Sequence, residues 1–180
     1  MMYIVTCREL SRIKTSRSAV VPYVFDESTG ELYFLFGIDA KTHDITDLGG
    51  GVKRYEYALN AGLREFREET KDVFGKYFTN SNNFSSCYAL IDKRMCSLFI
   101  PVSKDWLLLA PILFSSKNID PSKKNHNEIS HLIWLKESEL LQLLSSPKTK
   151  MWTLLSNFYR KTFTSEFRDL LVNSYIDITL

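Results

Sequence analysis

The amino-acid sequence predicts an α+β fold: a mixed sheet with one long central helix and a C-terminal helix. Short runs rich in Val and aromatics recur between turn residues over 18–38 and 84–102. One internal segment, 59–73, instead spaces its apolar residues by three and four. No repeat and no Pro/Gly/Ser-rich linker divides the 180 residues, so a single domain over 1–180 is expected.

The elements follow in order. Residues 1–17 carry Arg8, Arg12, Lys14 and Arg17 and read as an N-terminal arm or a first short strand. Ser18–Asp26 is β-branched and aromatic, hence a strand. Asp26 to Gly30 is turn chemistry, with Gly30 supplying a positive φ. Glu31–Ile38 is a second strand, antiparallel to the first. The polar stretch Asp39–Asp47 leads into Leu48-Gly49-Gly50-Gly51. Leu59, Leu63, Phe66, Thr70 and Val73 then form one stripe of an amphipathic helix, with Gly75 placed to end it. Phe84–Asp92 and Met95–Val102 read as strands joined near Lys93-Arg94. Trp106–Phe114 fits a short helix or a strand. Ser115–Asn127 is a polar loop containing Lys117, Lys123, Lys124 and His126. Glu128–Leu135 reads as a strand, and Lys136–Leu144 as a short helix stopped by Ser145-Ser146-Pro147. Residues 150–172 read as one C-terminal helix, with Leu154, Leu155, Phe158, Phe163, Phe167, Leu170 and Leu171 on its buried face.

Composition narrows the function. Lys and Arg total 23 against 21 Asp and Glu, a formal charge of +2, which excludes nucleic-acid binding by bulk charge. A chain of this length buries roughly 70% of its unfolded surface and needs no disulfide or structural metal to fold. The three cysteines, Cys7, Cys87 and Cys96, form no C-x-x-C pair. A reducing, cytoplasmic location is therefore expected. The N-terminus lacks a secretory pattern, and the apolar run Trp106–Phe114 is far below spanning length, so no membrane partner is expected.

The chemistry concentrates in Gly50-x5-Glu56-x7-Arg64-Glu65-Phe66-x-Glu68-Glu69. Glu65, Glu68 and Glu69 stand at i, i+3 and i+4, within about 100° of arc on one helix face. Carboxylates that close repel unless a cation joins them. Mg²⁺ and Mn²⁺ are hard cations that take such oxygens together with substrate phosphates. Charge spacing alone also fits an ordinary solvated helix face, where pairs such as Arg64–Glu68 offset the repulsion.

The segment resembles the Nudix box, G-x5-E-x7-R-E-U-x-E-E-x-G-U, where U is a bulky apolar residue. Gly50, Glu56, Arg64, Glu65, Phe66, Glu68 and Glu69 match at fixed spacing. The resemblance implies the Nudix α/β/α sandwich, with the box helix central. It implies Mg²⁺ or Mn²⁺ as cofactor, held by Glu68 and Glu69, with Glu65 as a further ligand or a base and the Gly49 carbonyl as a ligand. Arg64 and Glu56 would brace the loop, Gly50 included, against the helix; Arg64 also counts with Glu65 and Glu128 among the catalytic candidates, and Gly49 permits the tight turn. Many members add an acidic residue before a late strand, where Glu128 stands; the alternative for Glu128 is a solvated strand start. His126 and His131 flank it. Two departures are visible. Lys71 replaces the late Gly of the box, and the apolar stripe running on to Val73 predicts a helix one turn longer. Leu48 stands where many relatives have Pro, and Asp47-Leu48-Gly49-Gly50 is closer to a subgroup with Asp and an aromatic or aliphatic residue before the Gly pair.

The activity implied is hydrolysis of a pyrophosphate bond in a nucleoside diphosphate linked to another moiety. A cation bridging two phosphates neutralises developing charge and lowers the pKa of a bound water. The partner expected is a small nucleotide. Arg8–Arg17 and Lys117–Lys124 keep capped RNA or an inositol pyrophosphate open as alternatives. A non-catalytic nucleotide-binding protein on the same scaffold is a third reading. Tyr23, Tyr33, Phe34, Phe36 and Tyr88 are candidates to stack on a base or, more simply, core. The aromatic C-terminal helix either packs across the sheet or forms a homodimer.

Overall fold

The structure, a computed structural model, describes residues 3–78, 87–118, 122, 127–146 and 149–179. The order is β1 (Tyr3–Thr6), α1 (Cys7–Leu10), β2 (Arg17–Asp26), β3 (Glu31–Asp39), β4 (Ile45–Thr46), β5 (Leu48–Gly51), α2 (Ala58–Glu69), a 3₁₀ turn (Gly75–Phe78), β6 (Tyr88–Ile91), β7 (Met95–Pro101), α3 (Trp106–Ser116), β8 (Ile129–Lys136), α4 (Glu137–Ser145), α5 (Thr153–Thr162) and α6 (Ser165–Thr179). It is an α+β fold. The expected arm is a strand followed by one helical turn, and Trp106–Phe114 is helical. The start of the expected strand at Phe84, the loop residues Lys123, Lys124 and His126, and the stop at Pro147 lie outside the described residues.

The eight strands among the described residues run β1-β6-β7-β2-β3-β4, with β5 on β2 and β8 on β3. β2 and β7 are parallel, while β2 and β3 form the antiparallel hairpin that the turn chemistry predicts. Gly30 closes that hairpin at φ +70°, and the Asp26 carboxylate accepts bonds from the Ser28 amide (3.1 Å) and hydroxyl (2.6 Å). The edge of β2 facing β3 is shared. Arg17–Val20 pair with β5, and Tyr23–Asp26 pair with β3. Pro22 stands in the gap. Tyr23 directs its carbonyl toward the β7 side, where it accepts from Val102 N–H at 2.9 Å. By strand alternation the missing N–H of Pro22 then falls on the unpaired stretch, where its loss is cheap.

Helices cover both faces. Ser18 Oγ donates to the Ala58 carbonyl at 2.7 Å, which docks α2 on one face. On that side Phe66 packs with Phe74 and Phe78, and Phe74 stacks on Trp106 of α3 at 4.3 Å. On the other face Tyr23 Oη donates to Leu171 at 3.0 Å, and Phe99 meets Phe167 at 5.0 Å. Cys7, Cys87 and Cys96 are buried thiols. Burial pushes Cys7 up to about 11 and Cys96 up to about 12.

Two expectations are corrected. Residues 150–172 do not form one helix: α5 ends at Thr162, Phe163 is extended, and α6 begins at Ser165. Thr164 Oγ1 accepts the Phe167 amide at 3.2 Å, the N-cap geometry that restarts a helix. Nor does α2 run on through Val73. It ends at Glu69, with Thr70 as C-cap and Lys71 and Asp72 both at φ +53°. The Asp72 amide reaches back to the Arg67 carbonyl (2.8 Å) and the Lys71 amide to Glu68 (3.2 Å), a Schellman motif. Lys71 thus occupies the left-handed position that favours glycine. Its buried side chain lies over the Phe114 ring at 4.0 Å, and Lys117 Nζ donates to the Lys71 (2.7 Å) and Asp72 (2.8 Å) carbonyls. A cation on a ring and a second cation on the helix-end carbonyls offset the cost of the left-handed backbone. The innermost line of α2 is also shifted from the apolar stripe. Ala58, Ala61, Gly62, Phe66 and Glu69 are buried, while Leu59 and Leu63 are half-buried.

Candidate active site

The three glycines before α2 lie in a strand, and each meets a different neighbour. A Cβ on Gly49 would come within 2.4 Å of Ala19 Cα and of the Ser18 carbonyl oxygen, so β5 can lie against β2 only with glycine there. A Cβ on Gly50 would stand 2.5 Å from the Glu65 carboxylate carbon. Gly51 faces open space. From Gly51 the chain loops to α2, which starts at Ala58 with its amide held by the Ile13 carbonyl at 2.8 Å.

Arg64 ties this loop to the helix. Its Nε and Nη2 donate to the two oxygens of Glu56, at 2.7 and 2.9 Å. Nη2 also donates to the Gly51 carbonyl at 3.1 Å, and Nη1 to Glu65 Oε1 at 2.5 Å. Glu68 Oε2 lies 3.6 Å from the same Nη1. The guanidinium holds the Glu56 carboxyl well down, at about 2, and the carboxylates in turn push Arg64 further up. Glu56, Arg64, Glu65 and Glu68 therefore form one ion network.

Glu69 points elsewhere. It is 6% exposed, and its Oε2 has no hydrogen-bond partner among the described residues. Burial raises its pKa well above the ordinary value, and the negative charges of Asp47 and Glu128 add to that, against Arg17 and the Gly49 amide. Glu69 lines a cleft of about 290 Å³ together with Arg17, Gly49, Glu128, Trp152, Asp39 and Asp44. The cleft opens beside the fork in the β2 edge. Of the sequence-predicted site residues, the fold brings Gly49, Glu69 and Glu128 to one cleft. Glu65 and Glu68 are drawn to Arg64 instead.

Arg17, Asp47 and Trp152 complete the cleft and its floor. Asp47 sits between β4 and β5 with its side chain wholly buried. Arg17 Nη1 lies 2.7 Å from Asp47 Oδ1, a charge contact off the N–H axis that leaves Nη1 and both Asp47 oxygens without a well-directed bond among the described residues. Burial outweighs Arg17 and raises the Asp47 pKa. Arg17 Nη2 donates to the Gly49 carbonyl at 2.7 Å, and the guanidinium lies 5.2 Å from the Trp152 ring. Arg17 stood out in sequence only as one of several basic residues near the N-terminus, and Trp152 only as one aromatic of a helix. Their meeting depends on the Ile45–Met151 bridge, a long-range contact with no local signal. Tyr23, Phe34 and Phe36 are core, as the simpler reading had it, and Tyr33 and Tyr88 are half-buried away from the cleft lining. His131 is exposed and faces Ser130.

A divalent cation can be tested against these residues. The donors are hard oxygens of the right kind: the Gly49 carbonyl and the Glu69, Glu65, Glu68 and Glu128 carboxylates. Glu69 Oε2 is a buried carboxyl oxygen lacking a partner among the described residues, a place that a cation can fill. As folded, no three acidic, His or Cys groups converge into a ready cage among the described residues; Arg64 holds Glu65 and lies 3.6 Å from Glu68, and Arg17 holds the Gly49 carbonyl. The donor set fits a cation in chemistry.

Among the described residues, no helix is long and apolar enough to cross a membrane. No protein-family model matches the sequence, and no curated protein matches it. Two solved structures of C. elegans Ap4A hydrolase are similar to this chain. The binary complex is 15% identical, with a TM-score of 0.48, and the similarity covers 87% of this chain and 97% of that one. The other structure is 15% identical, with a TM-score of 0.46, covering 83% of this chain and 96% of that one.

Proposed function

We propose that this chain is a divalent-metal-dependent hydrolase of the Nudix type, cleaving the pyrophosphate bond of a nucleoside diphosphate linked to another moiety. The observation that carries this reading is Glu69: a buried carboxyl group at the cleft floor, beside Gly49, with one oxygen unpartnered among the described residues, in a segment matching the box spacing. The Arg64–Glu56 brace, made by the two residues that the box pattern pairs, supports it.

A bound Mg²⁺ or Mn²⁺ would supply charge neutralisation on the phosphate oxygens and an acidified water. Glu69 and the Gly49 carbonyl, with Glu68 or Glu65, would hold it. Glu128 stands on the cleft without Arg64 on its carboxylate and is the better placed group to take a proton from the attacking water; Glu65 is tied to Arg64. Arg64 and Glu56 would hold the loop geometry. Trp152 offers the exposed aromatic face that a base requires.

The test is nucleotide or phosphate release with Mg²⁺ across nucleoside triphosphates, ADP-ribose, dinucleoside polyphosphates, capped RNA and an inositol pyrophosphate. Turnover of one class that is lost in Glu69→Gln is the expected result. Silence across the panel, with metal still bound, favours a nucleotide-binding protein on the same scaffold.

A further inference from the structure

We propose that Arg17 is a displaceable internal counter-cation: its guanidinium and a divalent cation compete for the Gly49 carbonyl and the adjacent carboxylates. This inference rests on the metal reading above. The guanidinium reaches Asp47 Oδ1 and the Gly49 carbonyl, each at 2.7 Å. Asp47 and Glu69 are buried acidic side chains beside the Arg17 guanidinium, and Glu69 Oε2 has no hydrogen-bond partner among the described residues. A divalent cation entering at Glu69 would give that oxygen a partner. It cannot take up the Gly49 oxygen while an arginine N–H sits on it, because two cations on one carbonyl repel at close range.

Arg17 borders the open space of the cleft. Its side chain is 16% exposed and lines the cleft. Its Nη1 contact with Asp47 Oδ1, at 2.7 Å, is an ion pair without a well-directed hydrogen bond among the described residues. The Trp152 ring, itself 39% exposed, lies against the guanidinium at 5.2 Å and reports its position. Without metal, Arg17 stabilises an otherwise crowded acidic floor. With metal, it swings off Gly49 while remaining in the cleft. Arg17 is thus a positioning residue whose place depends on metal loading.

The experiment titrates Mg²⁺ into the full chain by calorimetry and follows tryptophan emission in parallel. Mg²⁺ is used because Mn²⁺ quenches fluorescence on its own, and Trp152→Phe subtracts Trp106 and Trp134. Arg17→Lys keeps a charge for Asp47 but lacks the second arm that reaches Gly49. The proposal expects the Trp152 signal to shift over the concentration range in which Mg²⁺ binds. It also expects Arg17→Lys to bind Mg²⁺ about tenfold tighter, as loss of one competing charge-assisted hydrogen bond implies. Should that variant fail to fold, the wild-type emission titration still decides. Mg²⁺ binding with no Trp152 shift and equal affinity in Arg17→Lys overturns the displacement and leaves the hydrolase reading standing. No Mg²⁺ binding in either protein overturns both.

Discussion

Glu56 accepts two hydrogen bonds from Arg64, at 2.7 and 2.9 Å, across eight residues of chain. The pair makes the loop between β5 and α2 a fixed object. Its pH dependence follows from the sign of the shift. The Glu56 carboxyl drops from 4.5 to about 2 in the folded chain, so its contribution is complete above 4.5 and is lost as pH falls through 2. Urea midpoints measured from pH 6 down to pH 2 are expected to fall over that acid window. Glu56→Gln is expected to flatten that part of the curve; an unchanged slope counts against the brace.

Glu69 carries the opposite sign. Burial raises its pKa, so the native state resists its ionisation and loses stability as pH rises above the unfolded value. Glu69→Gln removes that penalty. The variant is expected to melt at the same temperature as the parent or higher at pH 7. Its turnover is expected to fall by roughly 10³-fold, from losing several kcal/mol of cation-borne stabilisation. Calorimetric melting and a steady-state assay check the two halves separately.

The three consecutive glycines are not equivalent. Gly49→Ala drives a methyl into the Ala19 backbone and is expected to cost about 3 kcal/mol, with β5 lifted from β2. Gly50→Ala meets only the movable end of Glu65, so the fold is expected to survive while activity falls. Gly51→Ala meets nothing within 4 Å and is expected to be silent. Urea unfolding paired with activity ranks the three.

Lys71 separates backbone strain from side-chain contact. Lys71→Ala keeps φ +53° and loses the Phe114 contact, which is expected to cost about 1–2 kcal/mol. Lys71→Gly loses the same contact but relieves the left-handed strain, and is expected to be about 1 kcal/mol more stable than Lys71→Ala. Equal stability of the two variants by urea unfolding would remove the argument from strain.

Periodicity and turn chemistry made the β2–β3 hairpin, the box helix, β8 and α4 legible, because each depends on residues close in sequence. The end of α2 was misread for a physical reason. Val73 continues the apolar spacing, yet it is buried after a Schellman turn rather than on a further helical turn. The break at Phe163 was hidden in a similar way, since aromatics on both sides of Thr164 extend a helical pattern that the cap interrupts. In the candidate site, the spacing that sets Glu56 beside Arg64 is local and readable, whereas the expected grouping of Glu68 with Glu69 is not what the fold makes: Glu68 lies by Arg64 and Glu69 faces the cleft. Arg17, Asp47 and Trp152 come from the starts or ends of three separate elements, and only the sheet register assembles them.

The three buried thiols make the molecule its own clock. Cys7 and Cys87 meet where β1 joins β6 at the sheet margin, with the Cys7 amide on the Cys87 carbonyl at 3.1 Å. Cys96 lies on β7, paired with Ser18 in the middle of the sheet. An alkylating reagent reaches any of them only through an opening of the chain, and raised thiol pKa values slow the reaction further. Alkylation of the marginal pair ahead of Cys96 times fraying of the first strand, whereas alkylation of all three together times the unfolding of the whole.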